Sequence, residues 1–217
     1  MTVKIKICGL TNPKDVAPCI RSSVDYVGFV FHKSSKRNLE LSEAARIATL
    51  VPPEVLKVAL IVDPLDSELE NLFSSFPVDL LQLHGEELPG RVSKIRSIFK
   101  VPIIKSVSLR TKQDLVKIKD FSSVADQLLI DAEKPDKLSP PGGNGVTFDW
   151  ELISGFDWKV PWMLAGGLDT NNVQEAIEIS GAKQVDVSSG VESSPGIKDT
   201  KLIYNFVNTV RGKNYDR

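Results

Sequence analysis

Short apolar runs rich in β-branched residues recur along the chain, and amphipathic stretches of helical period separate them. The strand-like runs are Val3–Cys8, Tyr26–Phe31, Leu56–Val62, Leu80–His84, Ile103–Val107, Gln127–Asp131, Trp162–Ala165 and Gln184–Ser188. Helical patterns begin near Pro13, Ser42, Asp66, Leu88, Thr111, Asp149, Asn171 and Asp199. Several carry start signals, such as Asn12 before the helix-compatible Pro13 and Asp169-Thr170-Asn171 before Val173, Ala176 and Ile177. A strand–helix unit repeated eight times implies right-handed parallel crossovers and closure into a single α/β (β/α)₈ TIM barrel. No linker or low-complexity tract divides residues 1–217, so Pro140-Pro141-Gly142-Gly143 reads as a functional loop after the sixth strand.

The polar positions sharpen this picture. Side chains two apart in a strand share a face. Ile5 and Ile7 oppose Lys4, Lys6 and Cys8; Leu81 and Leu83 oppose Gln82 and His84; Val185 and Val187 oppose Asp186 and Ser188. The aliphatic sets suit packing against helices. The polar sets then point into the barrel and emerge at its C-terminal mouth, where active sites of this fold lie. For Lys6 and Gln82 the plainer reading is an interior polar layer with satisfied hydrogen bonds.

Composition narrows the function classes. Lys+Arg number 27 against 28 for Asp+Glu, so no global field points to nucleic acid or to an anionic membrane. No run has the length of a transmembrane span, and strand-like sequence begins too early for a signal peptide. Two cysteines make no disulfide framework, and with His32 and His84 they lack metal-ligand spacing. These features lead us to expect a cytoplasmic protein with a small-molecule substrate and no metal. A homodimer is compatible with such a barrel.

Candidate chemistry gathers at the strand ends. Cys8 closes the first strand and is followed by Gly9, which leaves its sulfur uncrowded; Lys6, on the same face, is expected to favour the thiolate. A free cysteine is more often a small buried hydrophobe, and Cys19 reads that way. Asp131 closes the sixth strand; as an acid near neutral pH it needs a raised pKa, and the competing reading is a cap or salt bridge. Asp186 is a rival acid, assigned instead to orientation or a substrate hydrogen bond beside Ser188, and His84 reads as a hydrogen-bonding wall residue. Arg37, in the basic loop after the second strand, suits a bidentate grip on a carboxylate, whereas Lys33 and Lys36 read as solvated. Two glycine segments, Ala165-Gly166-Gly167-Leu168 and Ser188-Ser189-Gly190-Val191, follow strands seven and eight, the usual phosphate site of the fold. A short helix just after Gly190 would add its N-terminal dipole there. Gly142-Gly143-Asn144-Gly145, after strand six, would cover the ligand.

At these positions the chain resembles the phosphoribosylanthranilate isomerase family. The likeness is carried by Lys6-Ile7-Cys8-Gly9-Leu10-Thr11, Ser35-Lys36-Arg37, Gln82-Leu83-His84-Gly85, Leu129-Ile130-Asp131, Gly142-Gly143-Asn144-Gly145 with Phe148-Asp149-Trp150, Leu164-Ala165-Gly166-Gly167-Leu168 and Val185-Asp186-Val187-Ser188-Ser189-Gly190-Val191-Glu192, in the family's order. The resemblance implies a general base at Cys8, a general acid at Asp131 and an anthranilate-carboxylate anchor at Arg37. His84, Asp186 and Ser188 are expected against the sugar-phosphate substrate. Gly143, Gly145, Gly167, Ser189 and Gly190 are expected around its phosphate. It implies an Amadori rearrangement of N-(5′-phosphoribosyl)anthranilate in tryptophan biosynthesis, whose iminium is the only electron sink needed, so that neither a metal nor an organic cofactor is expected. The loop Ser34-Ser35-Lys36-Arg37 departs from the pattern, since many members carry proline near the arginine. Two rivals remain at this point: a synthase barrel using Lys105 as catalytic lysine, and a non-catalytic sugar-phosphate sensor.

Overall fold

The computed structural model describes residues 2–133 and 145–212. Eight parallel strands close into one barrel in sequential order. They are β1 (Lys4–Cys8), β2 (Tyr26–Phe31), β3 (Leu56–Ile61), β4 (Leu80–Leu83), β5 (Ile103–Leu109), β6 (Gln127–Ala132), β7 (Trp162–Leu164) and β8 (Gln184–Val187). Among the described residues, seven α-helices accompany them: α1 (Pro13–Arg21), α2 (Leu41–Ala48), α3 (Asp66–Ser75), α4 (Pro89–Phe99), α5 (Leu115–Ser122), α6 (Val173–Ser180) and α7 (Thr200–Val210). Asn12 caps α1 by accepting the Lys14 N–H, with Pro13 at the first turn, and Asp199 caps α7 by accepting the Leu202 N–H.

Two expectations need correction. The helix anticipated from Asp149 is one 3₁₀ turn, Trp150–Ile153, started by the Asp149 side chain. Gly155, at a φ of +67°, stands two residues beyond that turn. The helix anticipated after Gly190 is also absent. Ser189–Val191 form a single 3₁₀ turn, and the chain then makes a small antiparallel hairpin, β9 (Glu192–Ser194) and β10 (Ile197–Lys198), before α7. A 3₁₀ turn of three residues supplies no helix dipole of consequence.

The alternation read from the strands holds in the packing. Ile5, Ile7, Leu81, Leu83, Val185 and Val187 belong to the large core between barrel and helices. Inside the barrel, Tyr26, Val58, Ile104, Leu129, Met163 and Ala165 form a separate apolar plug. Cys8, Val30 and Leu60 make a third cluster. Polar residues run through the same interior: Lys6 and Gln82 are fully buried, and the Tyr26 hydroxyl and the Gln127 amide both donate to Gln184 Oε1. The interior is therefore a filled core and not a pore.

Candidate active site

Parallel register decides which side chains meet at the mouth. Lys6 on β1 stands beside Asp186 on β8, and their side chains form an ion pair at 3.0 Å. Cys8 stands beside Gly28 on β2. A Cβ at position 28 would lie 2.9 Å from the Cys8 sulfur and 3.3 Å from Lys6 Nζ, so glycine there leaves the room that both side chains occupy. Gly9 turns the chain away at a φ of +77°, and a Cβ on it would lie 2.5 Å from Arg37 Cδ. The guanidinium stem thus lies flat on the backbone directly after Cys8.

One cavity at the mouth is lined by Cys8, Arg37, His84, Asp131, Asp186, Ser188, Gly167 and Ser189. Eight of the eleven site residues read from the sequence therefore share one wall. Gly190 is not on that wall: its Cα packs against the Leu168 carbonyl, joining the loops after β7 and β8. Gly145 lies outside the cavity in open space, while its neighbour Val146 lines the cavity and its carbonyl carbon lies 2.7 Å from where a Gly167 Cβ would be. Gly143 lies outside the described residues.

The electrostatics of the mouth are coupled. Burial pushes the Cys8 thiol above its ordinary pKa; the Lys6 and Lys198 ammonium groups act against that shift, and Asp186 adds to it. Lys6 pulls Cys8 toward the thiolate as expected, but burial outweighs that pull. Lys6 also loses to burial, but Asp186 and Cys8 more than compensate and hold its pKa above the usual lysine value. Asp131 accepts the Ala132 N–H at 2.8 Å through Oδ1, and its Oδ2 is 3.3 Å from His84 Nε2. Gln82 Nε2 lies 2.8 Å from His84 Nδ1. When Gln82 donates there, Nδ1 is an acceptor and the imidazole proton sits on Nε2, facing Asp131. Gln82 Oε1 is buried with no hydrogen-bond partner among the described residues, so the interior polar layer expected at Gln82 is only partly satisfied.

Arg37 is buried and donates through Nε and Nη2 to the two carboxylate oxygens of Glu192, at 2.7 and 2.8 Å. Its Nη1 has no hydrogen-bond partner among the described residues. Lys198 Nζ reaches the same carboxylate at 2.6 Å and donates to the Ser188 carbonyl at 3.0 Å; Ser188 Oγ in turn donates to the Cys8 carbonyl at 3.1 Å.

A family model for N-(5′-phosphoribosyl)anthranilate (PRA) isomerase matches residues 5–209. The chain belongs to this family. A relative from Cereibacter sphaeroides, named N-(5′-phosphoribosyl)anthranilate isomerase, is 50% identical over 209 residues, covering 96% of this chain and 99% of the relative. The phosphoribosyl anthranilate isomerase structure from Thermotoga maritima superposes with a TM-score of 0.87 at 34% identity, over 97% of this chain and all of that one. A further isomerase structure, solved with reduced 1-(o-carboxyphenylamino)-1-deoxyribulose 5-phosphate, gives 0.85 at 32% identity over 97% of this chain and all of that one. Membership makes the chain an isomerase of the aldose–ketose type.

Within that family the Lys105 rival loses its ground. Lys105 sits on the outward face of β5, pairs with Glu87 at 2.9 Å and lies 5.3 Å above the Phe121 ring of α5. It lines a different depression, which lacks Cys8, Asp131 and Arg37. Strand alternation in β5 carried that information, since Ile104 on the opposite face enters the interior plug. Lys198 escaped the sequence reading, and Glu192 entered it only as the last residue of a motif, without a role. The one available signal was Glu192 at the end of the Ser189-Gly190-Val191 motif; nothing local marks Lys198, which meets the site only through the β9–β10 hairpin.

Proposed function

We propose that this cavity performs the isomerisation for which the family is named, converting N-(5′-phosphoribosyl)anthranilate to 1-(o-carboxyphenylamino)-1-deoxyribulose 5-phosphate. Asp131 protonates the furanose ring oxygen. The C1′–O bond breaks, and the anthranilate nitrogen lone pair closes a C1′=N iminium. Cys8 then takes the C2′ proton, and the electron pair of that bond moves into C1′=C2′ as the iminium is neutralised. The enolamine takes a proton at C1′ while its 2′-hydroxyl gives one up, and it becomes the 2′-ketone. The iminium is the electron sink, so acid–base groups held in position carry the reaction. Arg37 grips the anthranilate carboxylate, Asp186 and His84 orient the sugar, and the loops after β7 and β8 hold the phosphate through backbone amides of Gly167, Ser189 and Gly190. Its compartment in this reading is the cytoplasm, where the free Cys8 thiol stays reduced.

The observation that supports the reading most is the shared wall: Cys8 on β1, Asp131 on β6 and Arg37 after β2 line one cavity. Purified protein mixed with N-(5′-phosphoribosyl)anthranilate should extinguish its anthranilate fluorescence catalytically. Saturable binding without turnover would make the protein a sensor and end the proposal.

A further inference from the structure

The β9–β10 hairpin carries a charge arrangement that the reaction itself does not require. Glu192 receives four donors: Arg37 Nε at 2.7 Å, Arg37 Nη2 at 2.8 Å, Lys198 Nζ at 2.6 Å and the Gly196 N–H at 3.1 Å. The side chains of Glu192 and Lys198 are 3% and 0% exposed, so solvent screens this cluster little. Two cations therefore share one carboxylate. A plain Arg–Glu pair would be neutral and would meet a second carboxylate with an occupied partner already in place. Here the group keeps one net positive charge. Burial lowers the Lys198 pKa, and the Glu192 carboxylate acts against that loss. Lys6 and Asp186 cancel one another, and Asp15 on α1, which senses both Lys198 and Glu192, makes no ion pair with Lys198 among the described residues, so the count is that of the hydrogen-bonded group alone.

We propose that Lys198 is a specificity-determining positioning residue that keeps the paired Arg37–Glu192 anchor net positive, so that the aryl carboxylate of the substrate is the second anion of a four-charge, net-neutral cluster. Lys198 touches no part of the ligand in this arrangement; it acts through Glu192, which fixes the Nε–Nη2 edge of Arg37 and leaves Nη1 without a partner among the described residues. The proposal rests on the reading of Arg37 as the carboxylate anchor.

The test compares two phosphate-bearing ligands by calorimetry: reduced 1-(o-carboxyphenylamino)-1-deoxyribulose 5-phosphate and its phenylamino counterpart without the carboxyl group. Lys198→Met makes the cluster neutral and should weaken the first ligand at least about tenfold, or 1.4 kcal/mol, while leaving the second within about twofold. Lys198→Gln, which keeps hydrogen bonding to Ser188 and Glu192 without the charge, should behave alike, and it serves if the methionine variant does not fold. Adding Glu192→Gln to Lys198→Met returns the net charge to +1 and should recover most of the lost affinity. A scaffold role predicts the reverse, a double variant no better than Lys198→Met, or equal weakening of both ligands; either result overturns the proposal. Arg37→Ala separates the two levels. If it distinguishes the ligands while Lys198→Met does not, only the Lys198 proposal falls. If Arg37→Ala weakens both equally, the carboxylate anchor falls and Lys198 with it.

Discussion

Cys8 shows how far one residue's surroundings define its chemistry. Its thiol is buried beside two ammonium groups and one carboxylate, and burial wins, so little thiolate exists near neutrality. For a base that acts as thiolate, the sign follows: kcat/KM should rise with pH, with its ascending limb above the ordinary thiol value of about 8.5. A profile already flat by pH 7 would mean that another group is the base. Cys8→Ser should retain the fold and the thermal midpoint and lower kcat by at least about 10²-fold, within the contribution typical of a positioned base. Near wild-type turnover would pass the role to His84. Asp131→Asn keeps the Ala132 hydrogen bond available but cannot deliver a proton. Its kcat and kcat/KM should fall together, the pattern of an interaction made only in the transition state. If Asp186→Asn shows that pattern and Asp131→Asn stays active, the two aspartates exchange roles. Sequence alone could place these side chains on inward strand faces, because period-two alternation is local. It could not weigh burial against Lys6, because that balance depends on strands brought together by closure.

At the scale of elements, the eight strands were legible because each is a compact, largely apolar run, β-branched in all but β4 and β7, and their ends agree with the structure to within two residues. The sixth connection was less legible: Asp149 is a true cap, but only one 3₁₀ turn follows it. The β9–β10 hairpin left almost no pattern, being three residues against two around Gly196, whose φ is +88°. Yet this hairpin grips Arg37 through Glu192 and reaches the loop after β1 through the Thr11 hydroxyl, which donates to the Gly196 carbonyl at 2.9 Å. Arg37 is thus held by two loops, while the phosphate loops belong to β7 and β8. Arg37→Ala should therefore cost the carboxylate contact, a charged pair worth about 2 to 3 kcal/mol. Affinity for the carboxyl-bearing product analogue should fall about 30- to 150-fold by that energy. Inorganic phosphate should bind as before in the same calorimeter. Equal weakening of both would move Arg37 into the phosphate site or into the fold.

Across the whole molecule, two kinds of buried charge serve different ends. Inside the mouth, Lys6–Asp186 and Arg37–Glu192–Lys198 surround the cavity. Outside the barrel wall, Lys105 and Glu87 are equally buried, at 2% and 1% side-chain exposure, but face α5 and the loop after β4. Glu87 also accepts the Asp63 and Gly85 N–H groups, and Lys105 donates to the Gly85 carbonyl at 2.8 Å, so the pair ties two loops to β5. This is a structural strut, and its loss should register in stability alone. Lys105→Met leaves Glu87 with its two backbone donors but without its cation. We expect a loss of about 3 kcal/mol, the lower end for removing one member of a buried pair, read as a lower urea midpoint at unchanged m-value. Because Lys105 lies outside the cavity that holds Cys8 and Asp131, kcat measured well below the unfolding transition should stay within about twofold of wild type, a change of less than 0.5 kcal/mol in the barrier. A catalytic lysine at the mouth would behave in the opposite way, with turnover falling by orders of magnitude at little cost in stability. The two measurements on one variant therefore decide whether the charge on β5 belongs to the scaffold or to the chemistry.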